Sequence, residues 1–128
     1  QGLGPTVDAV AKYFPDASGS SVSKLAFSCA ADQGYMDRLL PLKRKHAVIM
    51  GIEAHVCVLQ TALELTDEGY LCFVVADAVS SRAPEDLMLA LERMKANGCE
   101  IVTTEMVLFE WLRAAGTDEF REFSKLVR

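Results

Sequence analysis

Metal-binding residues are few in this chain and are not spaced as ligands. The 128 residues include two histidines without an H-x-x-x-H spacing, and four cysteines without a C-x-x-C pair. Structural and catalytic zinc sites usually draw on such pairs. We therefore expect neither a metal nor another cofactor.

Long apolar runs and clustered positive charge are also lacking. No run is long enough to span a bilayer, and no signal-peptide pattern opens the chain. Lys and Arg number 13 against 18 Asp and Glu, which gives a net charge of −5. These features disfavour membranes and nucleic acids as partners. An apolar chain of this size does not need disulfides, so we expect reduced thiols and an intracellular, cytoplasmic protein.

What is present is an alternation of short apolar runs and helical patterns. The runs predict three buried strands, and the patterns between them predict helices. The predicted strands are Ala47–Met50, Leu71–Ala76 (ending at Asp77) and Cys99–Thr103. The predicted helices run from Val58 to a stop at Gly69, from Pro84 to Asn97-Gly98, from a cap at Thr104 to a break at Gly116, and from Thr117 onward with Phe120, Phe123 and Val127 inward. This order predicts one α/β domain over residues 1–128, with a parallel sheet covered on both faces.

The beginning of the chain has the composition of a loop. Its first five residues, Gln1-Gly2-Leu3-Gly4-Pro5, include no initiator Met. Gly2–Pro5 is a weak candidate for a phosphate loop, because Pro5 removes a backbone donor, and a turn is favoured. Three strands also make a thin sheet for this fold class, so we expect a leading βαβ unit to lie outside this chain.

Cys57 is the one cysteine at a position that favours chemistry. It follows the first predicted strand within G-I-E-A-H-V-C-V-L-Q-T-A, residues 51–62. Sites in open α/β sheets form at the carboxyl ends of strands, and a helix start favours a thiolate. The pattern leaves two interpretations open, a nucleophile and a buried structural cysteine.

Two nearby polar residues are candidate helpers of such a thiol. His55 could act as a base, but neighbours on a tight turn rarely face each other, so a packing or surface histidine is favoured. Lys24 is a single cation within Ser23–Ser28, flanked by Leu25 and Phe27. A lysine with such neighbours could be held inside a pocket, whereas most lysines are solvated.

The Gly51–Ala62 segment, the Gly69-Tyr70 turn and the later V-V-A-D-A-V-S-S-R resemble the signature of isochorismatase-like cysteine hydrolases. The opening Q-G-L-G-P-T-V, the K-L-A-F-S segment and the closing E-F-x-x-x-S-K-L resemble the eukaryotic isochorismatase domain-containing subgroup. The resemblance spans essentially the whole chain. It implies a three-layer α/β sandwich of Rossmann-type strand order.

The resemblance also implies roles for individual residues. Cys57 matches the nucleophile of an Asp-Lys-Cys triad, and Lys24 matches its lysine. The Ile52–Glu53 peptide matches a cis bond, and the backbone N–H groups of Glu53 and Cys57 match an oxyanion hole. The triad's aspartate belongs to a D-x-Q phrase in an earlier strand. No such phrase occurs here, since Asp32-Gln33 follows Lys24 in a different setting.

The resemblance thus implies a hydrolase that acts on a small amide, imide or related electrophile through a covalent cysteine intermediate. A non-catalytic interaction or scaffold protein with the same fold is the alternative, and the residue at the aspartate position would discriminate between them. We also expect a homo-oligomer, because Phe109, Trp111, Phe120 and Phe123 give the C-terminal region many large aromatics. The other interpretation is that these aromatics simply cover the edge of the sheet.

Overall fold

The computed structural model describes residues 4–13 and 21–127. In chain order the elements are α1 (Asp8–Ala11), α2 (Gln33–Leu39), a 3-10 turn (Leu40–Leu42), β1 (His46–Ile52), a π-helical turn (Ala54–Val58), α3 (Leu59–Asp67), β2 (Leu71–Ser80), α4 (Pro84–Ala96), β3 (Glu100–Val102), α5 (Thr104–Leu112) and α6 (Asp118–Phe123). The predicted Gly2–Pro5 turn lies partly outside the described residues.

The three strands form one parallel sheet in the order β1-β2-β3. On one face, α3 and α4 bury a core that includes Leu65, Val74 and Met94. On the other face, Val107 of α5 packs with Val75 and Val102 of the sheet. Helices therefore cover both faces, and the predicted three-layer α/β fold is confirmed.

Strand β2 is longer than the sequence predicted. It was expected to end at Asp77 but continues to Ser80. The register of β1 against β2 shifts between Ile49, which pairs with Val74, and Gly51, which pairs with Val79. Beyond this irregularity, the last residues of β2 pair with the last residues of β1. Gly51 has a φ of +124°, which L side chains rarely adopt.

The predicted start and end of α4 are confirmed. Pro84 occupies its first turn, where a missing N–H costs nothing, and Gly98, with a φ of +91°, follows its end. The predicted cap of α5 is wrong by one residue, although the helix does begin at Thr104. Its N-cap is Thr103, whose Oγ1 accepts the Met106 N–H at 3.3 Å, whereas Thr104 is the first helical residue.

The C-terminal region departs from prediction in two details. Helix α5 ends at Leu112, before the predicted break at Gly116, because Arg113 adopts a φ of +60°. Thr117 caps α6 as predicted, but Val127 is exposed rather than inward. Among the described residues, no helix combines the length and the apolar character needed to cross a bilayer.

Candidate active site

Cys57 lies in the π-helical turn between the end of β1 and the start of α3. The turn is anchored on Glu53, whose carbonyl accepts the N–H groups of Val56 and Val58, each at 3.2 Å. These two donors flank Cys57 in sequence. The half-buried thiol is therefore carried by a turn whose backbone is fixed immediately before and after it.

Lys24 reaches the same region from the irregular segment that precedes α2. Burial alternates along residues 21–28, so that Lys24 and Ser28 lie on the inner side of the segment. The flanking residues Leu25 and Phe27 do not enclose the lysine, because both side chains are exposed. Burial alternates from one residue to the next here, so the two neighbours of the inward lysine lie on the outer side. Lys24 Nζ donates to the carbonyls of Ala26 and Phe27, at 2.8 and 2.7 Å.

A hydrogen bond attaches this segment to α3. The N–H of Cys29 donates to Thr61 Oγ1 at 2.9 Å, and Thr61 lies four residues after Cys57. Residues four apart in a helix lie on one face, so the bond anchors the segment close to the turn. The segment then enters α2, where Asp32 caps the helix by accepting the Tyr35 N–H at 3.0 Å.

Lys24 and Cys57 line one cavity of about 370 Å³. The remaining lining residues are apolar or uncharged and come from β1, the π-helical turn, α2, α3 and the segment before α2: Cys29, Tyr35, Val48, Ile49, Met50, Gly51, Ile52, Val58 and Thr61. Burial raises the pKa of the Tyr35 hydroxyl, and the nearby Cys29 thiol raises it further. Tyr35 therefore keeps its proton at neutral pH and can donate a hydrogen bond.

The peptide bond between Ile52 and Glu53 is cis in the structure. It lies between β1 and the turn that carries Cys57. The role of the Glu53 and Cys57 N–H groups as an oxyanion hole stays a prediction, as do the catalytic roles of Cys57 and Lys24.

His55 contacts Glu53, the loop after β2 and the first turn of α4. Its Nδ1 lies 2.9 Å from Ser81 Oγ, and its Nε2 lies 3.5 Å from Glu53 Oε2 and 3.7 Å from Asp86 Oδ2. The carboxylate of Glu53 also accepts Arg82 Nε, at 2.9 Å to Oε1. These contacts agree with the packing interpretation of His55. We call the five residues, Glu53, His55, Ser81, Arg82 and Asp86, the Glu53 cluster.

Two of the other thiols differ from Cys57 in burial, whereas Cys29 is half-buried as Cys57 is and lines the same cavity. Cys72 and Cys99 are buried, and all four cysteines are free. Burial raises the pKa of Cys72, which keeps it protonated at neutral pH, although a hydrogen bond from Thr66 opposes this. Within residues 4–13 and 21–127, no three His, Cys, Asp or Glu side chains group together as metal ligands would.

Several residues that the structure places in the site were not predicted from the sequence. Cys29, Tyr35 and Thr61 reach the cavity through the packing of the segment before α2 on α3, which no local pattern reveals. Arg82 stands within the quoted V-V-A-D-A-V-S-S-R segment, yet its partner Glu53 is 29 residues away. A pairing of parallel strands, rather than a motif, brings these two together.

Fold and site together define an α/β protein with a cysteine at a strand-to-helix turn and a lysine on the same cavity. The family model of the isochorismatase domain matches residues 3–106. The chain belongs to the isochorismatase family, as the resemblance predicted.

Curated relatives extend over almost the whole chain. A secreted isochorismatase effector, Isc1, from Phytophthora sojae is 40% identical over 129 residues, which is 98% of this chain and 61% of the relative. Isochorismatase domain-containing protein 2 from Xenopus laevis is 36% identical, over 99% of this chain and 60% of the relative. The predicted similarity to the eukaryotic subgroup is thus confirmed. The chain spans about 60% of the length of the curated relatives it matches.

Solved structures show the same fold. The MAR1 ribonuclease of Caenorhabditis elegans superposes with a TM-score of 0.73 at 36% identity, over 81% of this chain and 53% of that one. The YcaC gene product of Escherichia coli, described as an octameric hydrolase of unknown specificity, gives a TM-score of 0.80 at 27% identity, over 87% and 54%.

Proposed function

We propose that the protein is a hydrolase that cleaves a small amide, imide or related electrophile through a covalent intermediate on Cys57. The observation that carries the proposal is that Cys57 and Lys24, from separate segments, line one cavity. Membership of the isochorismatase family and the hydrolase described among the structural relatives support it.

The reaction balances as two acyl transfers. The Cys57 thiolate attacks the carbonyl carbon, a C–S bond forms, and the C–N bond breaks as the leaving nitrogen takes a proton. Water then attacks the thioester, so that a C–O bond forms, the C–S bond breaks and the acid is released. The group that takes the thiol proton and returns it to the leaving nitrogen is, by resemblance, an aspartate preceding Gln1 in the whole protein.

Lys24 fits the role of a fixed cation in this scheme. An ammonium group has three donors, and the carbonyls of Ala26 and Phe27 accept two of them. The third donor is then available to the thiolate or to a charged intermediate. Holding the ammonium on two carbonyls fixes its position before the reaction, which is how preorganised charge lowers a barrier. The N–H groups of Glu53 and Cys57 would bind the oxyanion.

The proposal is tested by thiol labelling and turnover on the full-length protein. Limiting iodoacetamide at neutral pH should modify Cys57 before Cys29, Cys72 and Cys99, as read by peptide mass mapping. Cys57→Ser should abolish hydrolysis of a panel of small amides and imides while the fold is retained. A protein in which Cys29 labels first, or in which Cys57→Ser keeps full activity, would contradict the proposal.

A non-catalytic scaffold is the second candidate, because the family fold can be kept without a triad. In that case an apolar residue would replace the aspartate in the whole protein, and the same panel would show no turnover. RNA belongs in the panel because one structural relative is described as a ribonuclease. The net charge of −5 disfavours the phosphate contacts that such a substrate needs.

A small-molecule substrate and assembly into a homo-oligomer complete the proposal. The description of YcaC as octameric supports assembly. The intracellular, cytoplasmic location stays a prediction, and one relative is described as secreted. Fractionation of the source cells, followed by detection of the full-length protein, tests the location.

A further inference from the structure

Arg82 holds the side chain of the residue on which the Cys57 turn is anchored. Its Nε lies 2.9 Å from Glu53 Oε1 and 3.1 Å from Glu53 Oε2. The carbonyl of the same Glu53 accepts the two N–H groups that flank Cys57 in sequence. One residue therefore joins the guanidinium to the backbone of the turn.

A second contact supports the turn from the same direction. His55 belongs to the turn, and its Nδ1 lies 2.9 Å from Ser81 Oγ, one residue before Arg82. Its other ring nitrogen lies between the carboxylates of Glu53 and Asp86, at 3.5 and 3.7 Å. The loop after β2 thus contacts the turn at two side chains.

The register of the sheet brings these two stretches together. Ile52 pairs with Ser80 at the end of the parallel β1–β2 ladder. The residues that follow, Glu53 on one side and Ser81 with Arg82 on the other, leave the sheet next to each other. The contacts of the Glu53 cluster are therefore built by strand pairing and not by chance proximity of two surface loops.

We propose that Arg82 is a positioning residue for Cys57. Its ion pair with Glu53 fixes the turn, so that the backbone N–H groups around the thiol keep their positions and directions. The inference rests on the proposed function, in which Cys57 is the nucleophile. Arg82 itself does not touch the reacting atoms in this scheme.

Because the ion pair is partly exposed, its effect on the position of Cys57 can be measured apart from its effect on the free energy of unfolding. The Arg82 side chain is 79% exposed and that of Glu53 is 27% exposed. Exposed ion pairs contribute little to the free energy of unfolding, since water and salt screen them. Small displacements at a reacting centre, in contrast, reduce rates strongly. Loss of Arg82 should therefore change the reactivity of Cys57 while the melting temperature changes little.

The test measures the rate constant of Cys57 alkylation by iodoacetamide against pH in the full-length protein. We expect Arg82→Met to slow the reaction at neutral pH about tenfold, with the midpoint of the pH profile moved upward. Arg82→Lys should restore part of the rate, because it keeps the charge but lacks the planar fork. Arg93→Met, an exposed arginine of α4, is the matched control and should react as the parent does.

A second variant keeps the inference testable if Arg82→Met melts early. Glu53→Gln retains the size and backbone of the anchor but removes its charge, so it should give the same slow reaction. The double variant should be no slower than either single one, because both remove the same contact.

Two results would overturn the inference. If Arg82→Met and Glu53→Gln both react at the parent rate while Cys57 of the parent is hyper-reactive, positioning by Arg82 is wrong and the proposed function stands. If Cys57 of the parent reacts no faster than Cys29, the nucleophile assignment is wrong and the inference falls with it.

Discussion

The backbone N–H of Cys29 lies 2.9 Å from Thr61 Oγ1, and this bond joins residues that are 32 positions apart. Thr61 is buried on α3, one helical turn beyond Cys57, and Cys29 follows Lys24 by five residues. The bond connects the segment that carries the lysine to the helix that follows the thiol. It therefore bears directly on how the two candidate catalytic groups meet.

Removing the hydroxyl of Thr61 should weaken this connection. Thr61→Val keeps the shape of the side chain but leaves the Cys29 N–H without its acceptor, which costs about 1–3 kcal/mol when the donor is buried. We expect a lower free energy of unfolding in urea and slower alkylation of Cys57. Thr61→Ser retains the acceptor and is the control. Equal stability and equal alkylation in Thr61→Val and the parent would show that the bond is dispensable.

Neutralising Lys24 should affect chemistry more than folding. Its half-buried ammonium lies on the cavity of Cys57, and a nearby cation favours the thiolate. We expect Lys24→Met to melt close to the parent, to label slowly at Cys57 and to lose hydrolytic turnover. Lys95→Met, on the exposed side of α4, is the control. If Lys24→Met labels at the parent rate, Lys24 has no effect on the Cys57 thiol and behaves as an ordinary surface lysine.

Asp77 should stabilise the fold only when it is ionised. The N–H and the hydroxyl of Thr104 donate to its Oδ1 at 2.8 and 3.0 Å, and the backbone bond is the main reason that the pKa of Asp77 is lowered. A lowered pKa means that protonation weakens the folded state. The contribution is thus present above the ordinary pKa of about 3.9 and is lost as the pH falls through the lowered value.

Melting temperatures across a pH series check this sign. We expect Asp77→Ala to melt below the parent at neutral pH, and the difference should shrink as the pH falls below about 3.9. Glu92→Ala, an exposed carboxylate of α4, is the control and should show no such convergence. A difference that stays constant down to acid pH would mean that the ionised contact with Thr104 is not what Asp77 contributes.

Self-association should depend on Trp111 more than on the neighbouring phenylalanines. Phe109 lies 5.3 Å from Phe123 and 6.3 Å from Phe120 between ring centroids, so these three rings partly bury one another. Trp111 is 67% exposed on α5. We expect the full-length protein to scatter light as an oligomer and Trp111→Lys to reduce its mass at equal melting temperature. A parent that stays monomeric over a concentration series would contradict this prediction.

Sequence patterns predicted the elements whose signals are local. Strand β1 is predicted by its apolar run, although it continues through Gly51 to Ile52, and α4 is predicted because Pro84 and Gly98 mark its ends. The boundary errors at Thr103 and at the end of β2 arise from tertiary contacts. Thr104 is one residue too late for a cap, and it contacts Asp77 instead.

The site was predictable in its central residue and not in its surroundings. The position of Cys57 follows from a strand that precedes a helix, which local patterns indicate. The π-helical form of the turn has no sequence signature, and the outward direction of Leu25 and Phe27 depends on which side of their segment packs inward. The contact of Arg82 with Glu53 requires the register of two strands, which one sequence does not specify.

The irregular register between β1 and β2 has a consequence for the spacing of the chain. From Ile49 to Gly51 the first strand advances two residues, while its partner advances five, from Val74 to Val79. The number of intervening residues in β2 decides which side chain lies opposite Glu53. Because a strand alternates its faces residue by residue, deleting one residue between Val75 and Ala78 would replace Arg82 with a neighbour pointing the other way. Insertions and deletions should therefore be tolerated poorly in this part of β2, although it lies away from the thiol in sequence.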